Sequence, residues 1–230
     1  LAKYFGAENG NVNSDAFHRA LLNDAKIDEY LAASSADSNA MDSGYARGYN
    51  RYIDTHADQL PASCAGAEWV KPIDERDLAR LAIGVGIRYG LGRVTDQIAT
   101  AAPNQAIASL KPIDLSLDVE KIGSNAYAFG SELTDTGRGI LLGNPHYPWQ
   151  GPSRFHMAHL TLPGEIDFMG VGLIATPRLA IGFNETIAWS HTVSTALRFT
   201  FFRLDLVPGN PMAYLVGDQE RSIEAIEVAV

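Results

Sequence analysis

The sequence predicts an α+β chain, with helices in its first half and strands in its second. Three observations carry this. Apolar residues recur at helical spacing up to about residue 102, and after Gly123 the period changes toward two. The two kinds of element occupy separate stretches instead of alternating, which argues against βαβ units. The chain has 230 residues, enough for one large or two small domains, and its 46% hydrophobic and 20% charged content excludes a wholly disordered polypeptide.

The helical half divides into segments. Ser14–Ala33 places Phe17, Leu21, Leu22, Ile27, Tyr30 and Leu31 at roughly helical spacing, with Ser14 as the expected N-cap. Asn39–Asp58 repeats the pattern through Met41, Tyr45, Tyr49, Tyr52 and Ile53, and Gly44 and Gly48 suggest close helix packing. A loop follows over Leu60–Pro72, punctuated by Pro61, Gly66 and Pro72. Asp74 is the expected N-cap of a helix over Leu78–Leu91, and Asp74-Glu75-Arg76-Asp77 reads as a solvated first turn that complements the helix dipole. A further helix is expected over Val94–Ala102, and Asn104–Gly123 reads as a linker after Pro103.

The second half predicts strands over Asn125–Phe129, Gly139–Leu142, Arg154–Leu162, Asp167–Val171, Leu179–Phe183, Thr186–Val193, Leu197–Leu206 and Ile223–Val230. Turns are marked by Gly137, Pro163-Gly164, Gly182-Phe183-Asn184 and Pro208-Gly209. The chain opens without Met and stops within a β-like run, so it is expected to be a piece of a longer protein.

Composition narrows the function. Eighteen Lys+Arg against 27 Asp+Glu give a net charge of −9, which argues against a nucleic-acid partner because phosphate contacts need clustered basic residues. No apolar run reaches roughly 18 residues, so no membrane-spanning helix is expected. A single cysteine, Cys64, excludes a disulfide framework within the chain and leaves a reactive thiol, a bridge to a partner outside this chain, or an ordinary buried or loop cysteine. Four histidines (His146, His156, His159 and His191) could supply metal ligands on paper. However, His156 and His159 are three apart in an expected strand and would face opposite sides, and no HExxH pattern is present.

Three blocks could carry chemistry. Gly123-Ser124-Asn125-Ala126-Tyr127 lies where the linker meets a strand, and by itself reads as a turn. Gly143-Asn144-Pro145-His146-Tyr147-Pro148-Trp149 packs a histidine, two prolines and two aromatics into an expected loop, either a rigid turn or a pocket wall. Gly182-Phe183-Asn184 with Ala188-Trp189-Ser190-His191-Thr192-Val193 reads as a hairpin holding a buried tryptophan. Arg154 and Arg198 could meet a substrate carboxylate or lactone, or form surface ion pairs.

Together and in this order, these blocks resemble the penicillin-acylase family of N-terminal nucleophile hydrolases, and within it the acyl-homoserine-lactone and aculeacin-A acylase branch. Arg154-Phe155, His159-Leu160-Thr161-Leu162-Pro163-Gly164 and Ile181-Gly182-Phe183-Asn184 extend the resemblance. On the N-terminal side Gly44-Tyr45-Ala46-Arg47-Gly48-Tyr49-Asn50 and the loop from Cys64 to Trp69-Val70 match the small subunit. The resemblance implies an αββα sandwich, present here in part. It implies residues 1–102 as the end of a helical α subunit, 103–123 as a spacer and 124–230 as the start of a β subunit, with α and β forming a heterodimer. An exported setting, periplasmic or secreted, follows from the resemblance alone.

The resemblance also implies a mechanism without a cofactor. Cleavage of Gly123–Ser124 would free the α-amine of Ser124, whose reference pKa of about 7.7–8 suits a general base at working pH. That amine would activate the serine's own hydroxyl, which is otherwise a weak nucleophile. The backbone N–H of Val193 would donate to the oxyanion, and His146 would help orient the amine and the attacked carbonyl. Tyr147 would line the acyl pocket, with Trp149 and Phe155 in support. Some relatives hold calcium through carboxylates just past the oxyanion residue. Ser194–Phe199 contains none, so no metal is expected there. The implied activity is removal of an apolar acyl chain from a small N-acyl substrate such as an N-acyl homoserine lactone; the alternatives are a penicillin V or lipopeptide (aculeacin-type) acylase, or a non-maturing, inactive binding module of the same fold.

Overall fold

The computed structural model describes residues 1–230 apart from 9, 103–122, 152, 195, 197 and 198. The expected linker over Asn104–Gly123 therefore lies outside the described residues except for Gly123. Among the described residues six α-helices come first: α1 (Ala2–Phe5), α2 (Asn11–Leu21), α3 (Asp24–Ala33), α4 (Ala36–Thr55), α5 (Glu75–Arg88) and α6 (Thr95–Ala99). Nine strands follow: β1 (Gly123–Phe129), β2 (Ile140–His146), β3 (Phe155–Leu162), β4 (Ile166–Leu173), β5 (Ile181–Phe183), β6 (Ala188–Trp189), β7 (Asp205–Val207), β8 (Asn210–Val216) and β9 (Gln219–Ser222). The order agrees with α+β.

Several helix boundaries differ from the sequence expectation. The helix expected over Ser14–Ala33 is two helices, because Asn23 turns its side chain onto the backbone: Oδ1 accepts from the Lys26 N–H at 3.0 Å and caps α3. Ser14 lies inside α2, whose N-cap is Gly10 at φ 75. On α4, Ser35 is the cap, accepting from the Ser38 N–H. The buried residues of α4 are Asp42 and Ala46, not Met41 and Tyr45, and Tyr52 is exposed. Gly44 and Gly48 face open space, so they do not serve close packing. Asp74 and Asp77 cap α5 reciprocally: Asp74 Oδ1 accepts from the Asp77 N–H at 3.0 Å, and Asp77 Oδ2 from the Asp74 N–H at 3.2 Å. The helix expected over Val94–Ala102 is only α6, after a 3-10 turn at Leu91–Val94.

The strands form three antiparallel sheets, β1-β2, β3-β4-β5-β6 and β7-β8-β9. Leu197 and Arg198 of the strand expected over Leu197–Leu206 lie outside the described residues, and its described residues are strand only where β7 begins at Asp205; Ile223–Val230 has no regular structure. The hairpin β8–β9 was not foreseen. Pro211 and the polar run of β9 hide its pattern, and it is held by main-chain pairing around Gly217 at φ 59.

The chain divides into two compact units. One comprises Leu1–Ser34 with the described residues of 79–115 and 197–230, and the other comprises Ser35–Leu78 with the described residues of 116–196. In the first, α2 packs on α6, and Phe17, Ile27, Ala79, Val94 and Ala213 are buried. In the second, the loop after α4 is tied down by Asn50. Its carboxamide exchanges two 2.8 Å hydrogen bonds with the backbone of Ile73, donating to the carbonyl and accepting from the N–H as a strand neighbour would. In the larger sheet Gly170 faces Gly182, and added methyls would lie 2.2 Å from the Ile181 carbonyl oxygen and 2.6 Å from that of Met169. Only glycine permits this approach. The Trp189 ring lies over Gly182, meets Phe168 edge-on and donates from Nε1 to the Ala180 carbonyl at 2.9 Å.

Candidate active site

The candidate site lies in the second unit, at one end of the β1–β2 pair. Gly123 and Ser124 open β1, opposite His146 and Pro145, which close β2. The strand thus runs through Gly143-Asn144-Pro145-His146, a stretch expected to be loop. Main-chain pairing with β1 overrides the turn signal, and Pro145 is tolerated in a two-stranded ladder where it has no N–H to give.

The pleat sorts the side chains. Ser124 shares a face with Pro145, Ala126 and Gly143, whereas Gly123, Asn125, Asn144 and His146 belong to the other. Ser124 is half-buried, and its hydroxyl turns back to donate to the Gly123 carbonyl oxygen. The imidazole of His146 covers the other side of Gly123: a methyl there would sit 3.2 Å from Nδ1. Asn144, two residues earlier on the same face, brings Nδ2 to 3.2 Å from His146 Nε2. A side chain at 123 would therefore press against the His146 ring.

The third block supplies a neighbour on the serine face. Asn184 builds the β5–β6 turn, its Oδ1 accepting from the N–H groups of Thr186 and Ile187 at 2.8 Å each. The strand expected over Thr186–Val193 shortens to Ala188–Trp189, and Ser190–Ser194 has no regular structure. Ser190 packs against Gly143, where a methyl would meet Oγ at 3.0 Å and Cβ at 3.3 Å. Its hydroxyl is buried and without a hydrogen-bond partner among the described residues. Val193, half-buried, follows three residues later.

The aromatic residues separate into two groups. Tyr147 and Phe155 stack, with centroids 4.9 Å apart and planes 19° apart. Trp149 is 94% exposed and stands outside that stack. Of the two arginines, Arg154 is exposed and Arg198 lies outside the described residues.

His156 and His159 do face opposite sides of β3. His159 joins Thr161 and Asp167 on one face, its Nε2 2.7 Å from Asp167 Oδ1. The hydrogen bond from His159, then that from Thr161, holds the exposed Asp167 carboxyl below its usual range. Among the described residues no group of three or more His, Cys, Asp and Glu could hold a metal ion, and no helix is long and apolar enough to cross a membrane. Of the Ser194–Phe199 stretch expected to lack metal, Thr195, Leu197 and Arg198 lie outside the described residues.

Sequence reasoning missed Asn144 and Ser190 as neighbours of the site. Both lie inside motifs it singled out, but only strand register and sheet approach reveal what they touch.

The sequence model of the family described as penicillin amidase matches residues 1–230. The acyl-homoserine lactone acylase PvdQ of Pseudomonas putida is 37% identical over 246 residues, covering 100% of this chain and 32% of the relative. PvdQ of Pseudomonas fluorescens is 38% identical over 245 residues, covering 100% and 31%. Aculeacin-A acylase of Actinoplanes utahensis is 42% identical over 200 residues, covering 81% and 25%. The chain therefore spans about a third or less of the length of these relatives.

Proposed function

Because the chain belongs to the penicillin amidase family, we propose that it is the nucleophile-bearing part of an acylase that removes an apolar acyl chain from a small N-acyl amide. One observation carries this: Ser124 stands at the head of β1 with its hydroxyl on the Gly123 carbonyl, and His146 covers Gly123 from the opposite strand. In this reading the Ser124 hydroxyl first attacks the Gly123 carbonyl. The Gly123 C–N bond breaks as the Oγ ester forms, the nitrogen takes the hydroxyl proton and becomes the free α-amine of Ser124, and water then cleaves the ester to leave the Gly123 carboxylate and the free hydroxyl. The freed α-amine then takes the proton from Oγ as it attacks the substrate carbonyl. The proton passes to the leaving amine, and water hydrolyses the acyl ester to return the free hydroxyl.

The oxyanion formed in each step needs fixed donors. The Val193 N–H is proposed as one, supported by the packing of its segment through Ser190 on the serine face. His146 is proposed to steady the attacked carbonyl from the Gly123 side. Tyr147 and Phe155 are proposed to receive the acyl chain, where each buried methylene contributes about 0.8 kcal/mol. Trp149 would join them only if another part of the protein turned it inward. No cofactor is invoked.

The likeness to PvdQ favours an N-acyl homoserine lactone as substrate, and the likeness to aculeacin-A acylase supports an aculeacin-type compound as the second reading. Residues 1–102 and 124–230 are proposed to belong to the α and β chains of one heterodimer, within an αββα core, with the spacer between them removed. A periplasmic or secreted location is part of the same proposal. The test is the intact mass of the full-length protein and of Ser124→Ala. Two chains in the parent, one beginning at Ser124, with one uncut inactive chain in the variant, is the expected outcome. A folded parent that stays uncut would refute the mechanism and favour the inactive module.

A further inference from the structure

We infer that the ion pair between the buried Asp42 and the partly exposed Arg178 is a polar lock by which the chain before Gly123 holds the chain after it. Its setting rests on the cleavage proposed above, while its geometry does not. Asp42 sits on α4 and is only 1% exposed, the most buried charged side chain described. Arg178 Nη2 lies 2.9 Å from Asp42 Oδ2 and also donates to Ser38 Oγ, one helical turn earlier. Asp42 Oδ1 has no other partner among the described residues. The carboxylate therefore depends on this one cation, and a buried charge stripped of its partner is costly.

The arginine is presented by a built segment. Residues 174–180 leave β4 and return to β5 with Ala175 at φ 65, closed by Thr176 Oγ1 donating to the Leu173 carbonyl at 2.7 Å and the Ala180 N–H donating to that of Val171 at 2.8 Å. The Arg178 carbonyl rests on Gly172, where a methyl would lie 2.2 Å from its oxygen. Asp42 and Arg178 are 136 residues apart and fall on either side of Gly123, within one compact unit. Once the chain is cut, α4 has no covalent tie to this segment, and the pair becomes a contact between two polypeptides.

The test uses the full-length protein made as two co-expressed polypeptides broken between Gly123 and Ser124, so that the break does not depend on self-processing. Dissociation of the purified complex in intermediate urea is followed by native mass spectrometry. Asp42→Asn and Arg178→Leu are each expected to speed dissociation at least tenfold. The double variant Asp42→Leu with Arg178→Leu is expected to return it to within threefold of the parent, because it removes both charges. Single variants within twofold of the parent would overturn the lock. If a single variant fails to assemble, assembly of the double variant upholds the lock, and its failure overturns it. A wild-type full-length chain that never cuts itself would defeat the Ser124 reading and leave this result standing.

Discussion

Replacing Gly143 by alanine tests whether the nucleophile strand and the Ser190–Val193 segment are mechanically joined. The new methyl would lie 3.0 Å from Ser190 Oγ and 3.3 Å from its Cβ, against an ordinary contact of 3.4 Å or more. The overlap is therefore about 0.4 Å at the hydroxyl and about 0.1 Å at the carbon. Overpacking of this kind costs about 1–3 kcal/mol. The hydroxyl carries most of it, so Ser190→Ala in the same chain should bring the cost below about 1 kcal/mol. Alone, Ser190→Ala should be neutral or stabilising by up to about 1 kcal/mol, because it deletes a buried hydroxyl that has no partner. Urea unfolding of the four proteins reads the cycle, with an expected coupling of about 1–2 kcal/mol. If the Val193 N–H is an oxyanion donor, Gly143→Ala should also lower kcat by roughly tenfold, less than the roughly 10²–10³ cost of losing a donor outright. Additive stabilities, or a Gly143→Ala protein within about 0.5 kcal/mol of the parent, would refute the reasoning.

Three further outcomes are expected. Gly170→Ala drives a methyl to 2.2 Å from the Ile181 carbonyl oxygen, a backbone atom that cannot swing away, and should cost about 3 kcal/mol or more; a circular-dichroism melt reads it. Asn50→Ala removes both hydrogen bonds to Ile73 and should cost about 1–3 kcal/mol in urea unfolding. Asn50→Asp should be worse than Asn50→Ala, because it sets a carboxylate against the Ile73 carbonyl. His159→Ala should let the Asp167 carboxyl rise toward its ordinary value in an NMR titration. The folded pKa of Asp167 is depressed, so its stabilising effect is present above the unfolded value of about 3.9 and is lost as pH falls through the lower folded value. An unmoved Asp167 titration in the variant would show that His159 is not the cause.

Much of this fold can be read before any coordinates. The change of period at Gly123 places β1, and alternation over Arg154–Leu162 and Asp167–Val171 finds β3 and β4 to within two residues at each end. The Asp74 cap is equally legible, because capping is local chemistry between neighbours in the chain. Misreadings concentrate where a local signal competes with a distant partner. Ile223–Val230 alternates like a strand but has no strand to pair with among the described residues, whereas the polar β9 pairs along its whole length. On α4 the aromatic stripe pointed one way, while the buried contact with Arg178 turned Asp42 inward.

For the site, the residue types and their order in the chain were sufficient to identify Gly123, Ser124, His146, Tyr147, Phe155 and Val193 as candidates and to associate them with a family. Periodicity, caps and motifs depend on residues a few positions apart, and a sequence displays those directly. Only the tertiary structure decided that Ser124 and His146 take opposite faces of one strand pair, that Ser190 lies on the serine face, and that Asp42 answers Arg178 across 136 residues. Those relations arise when strand register and packing bring distant segments within a few ångströms, where a single methyl or an unpaired charge becomes decisive.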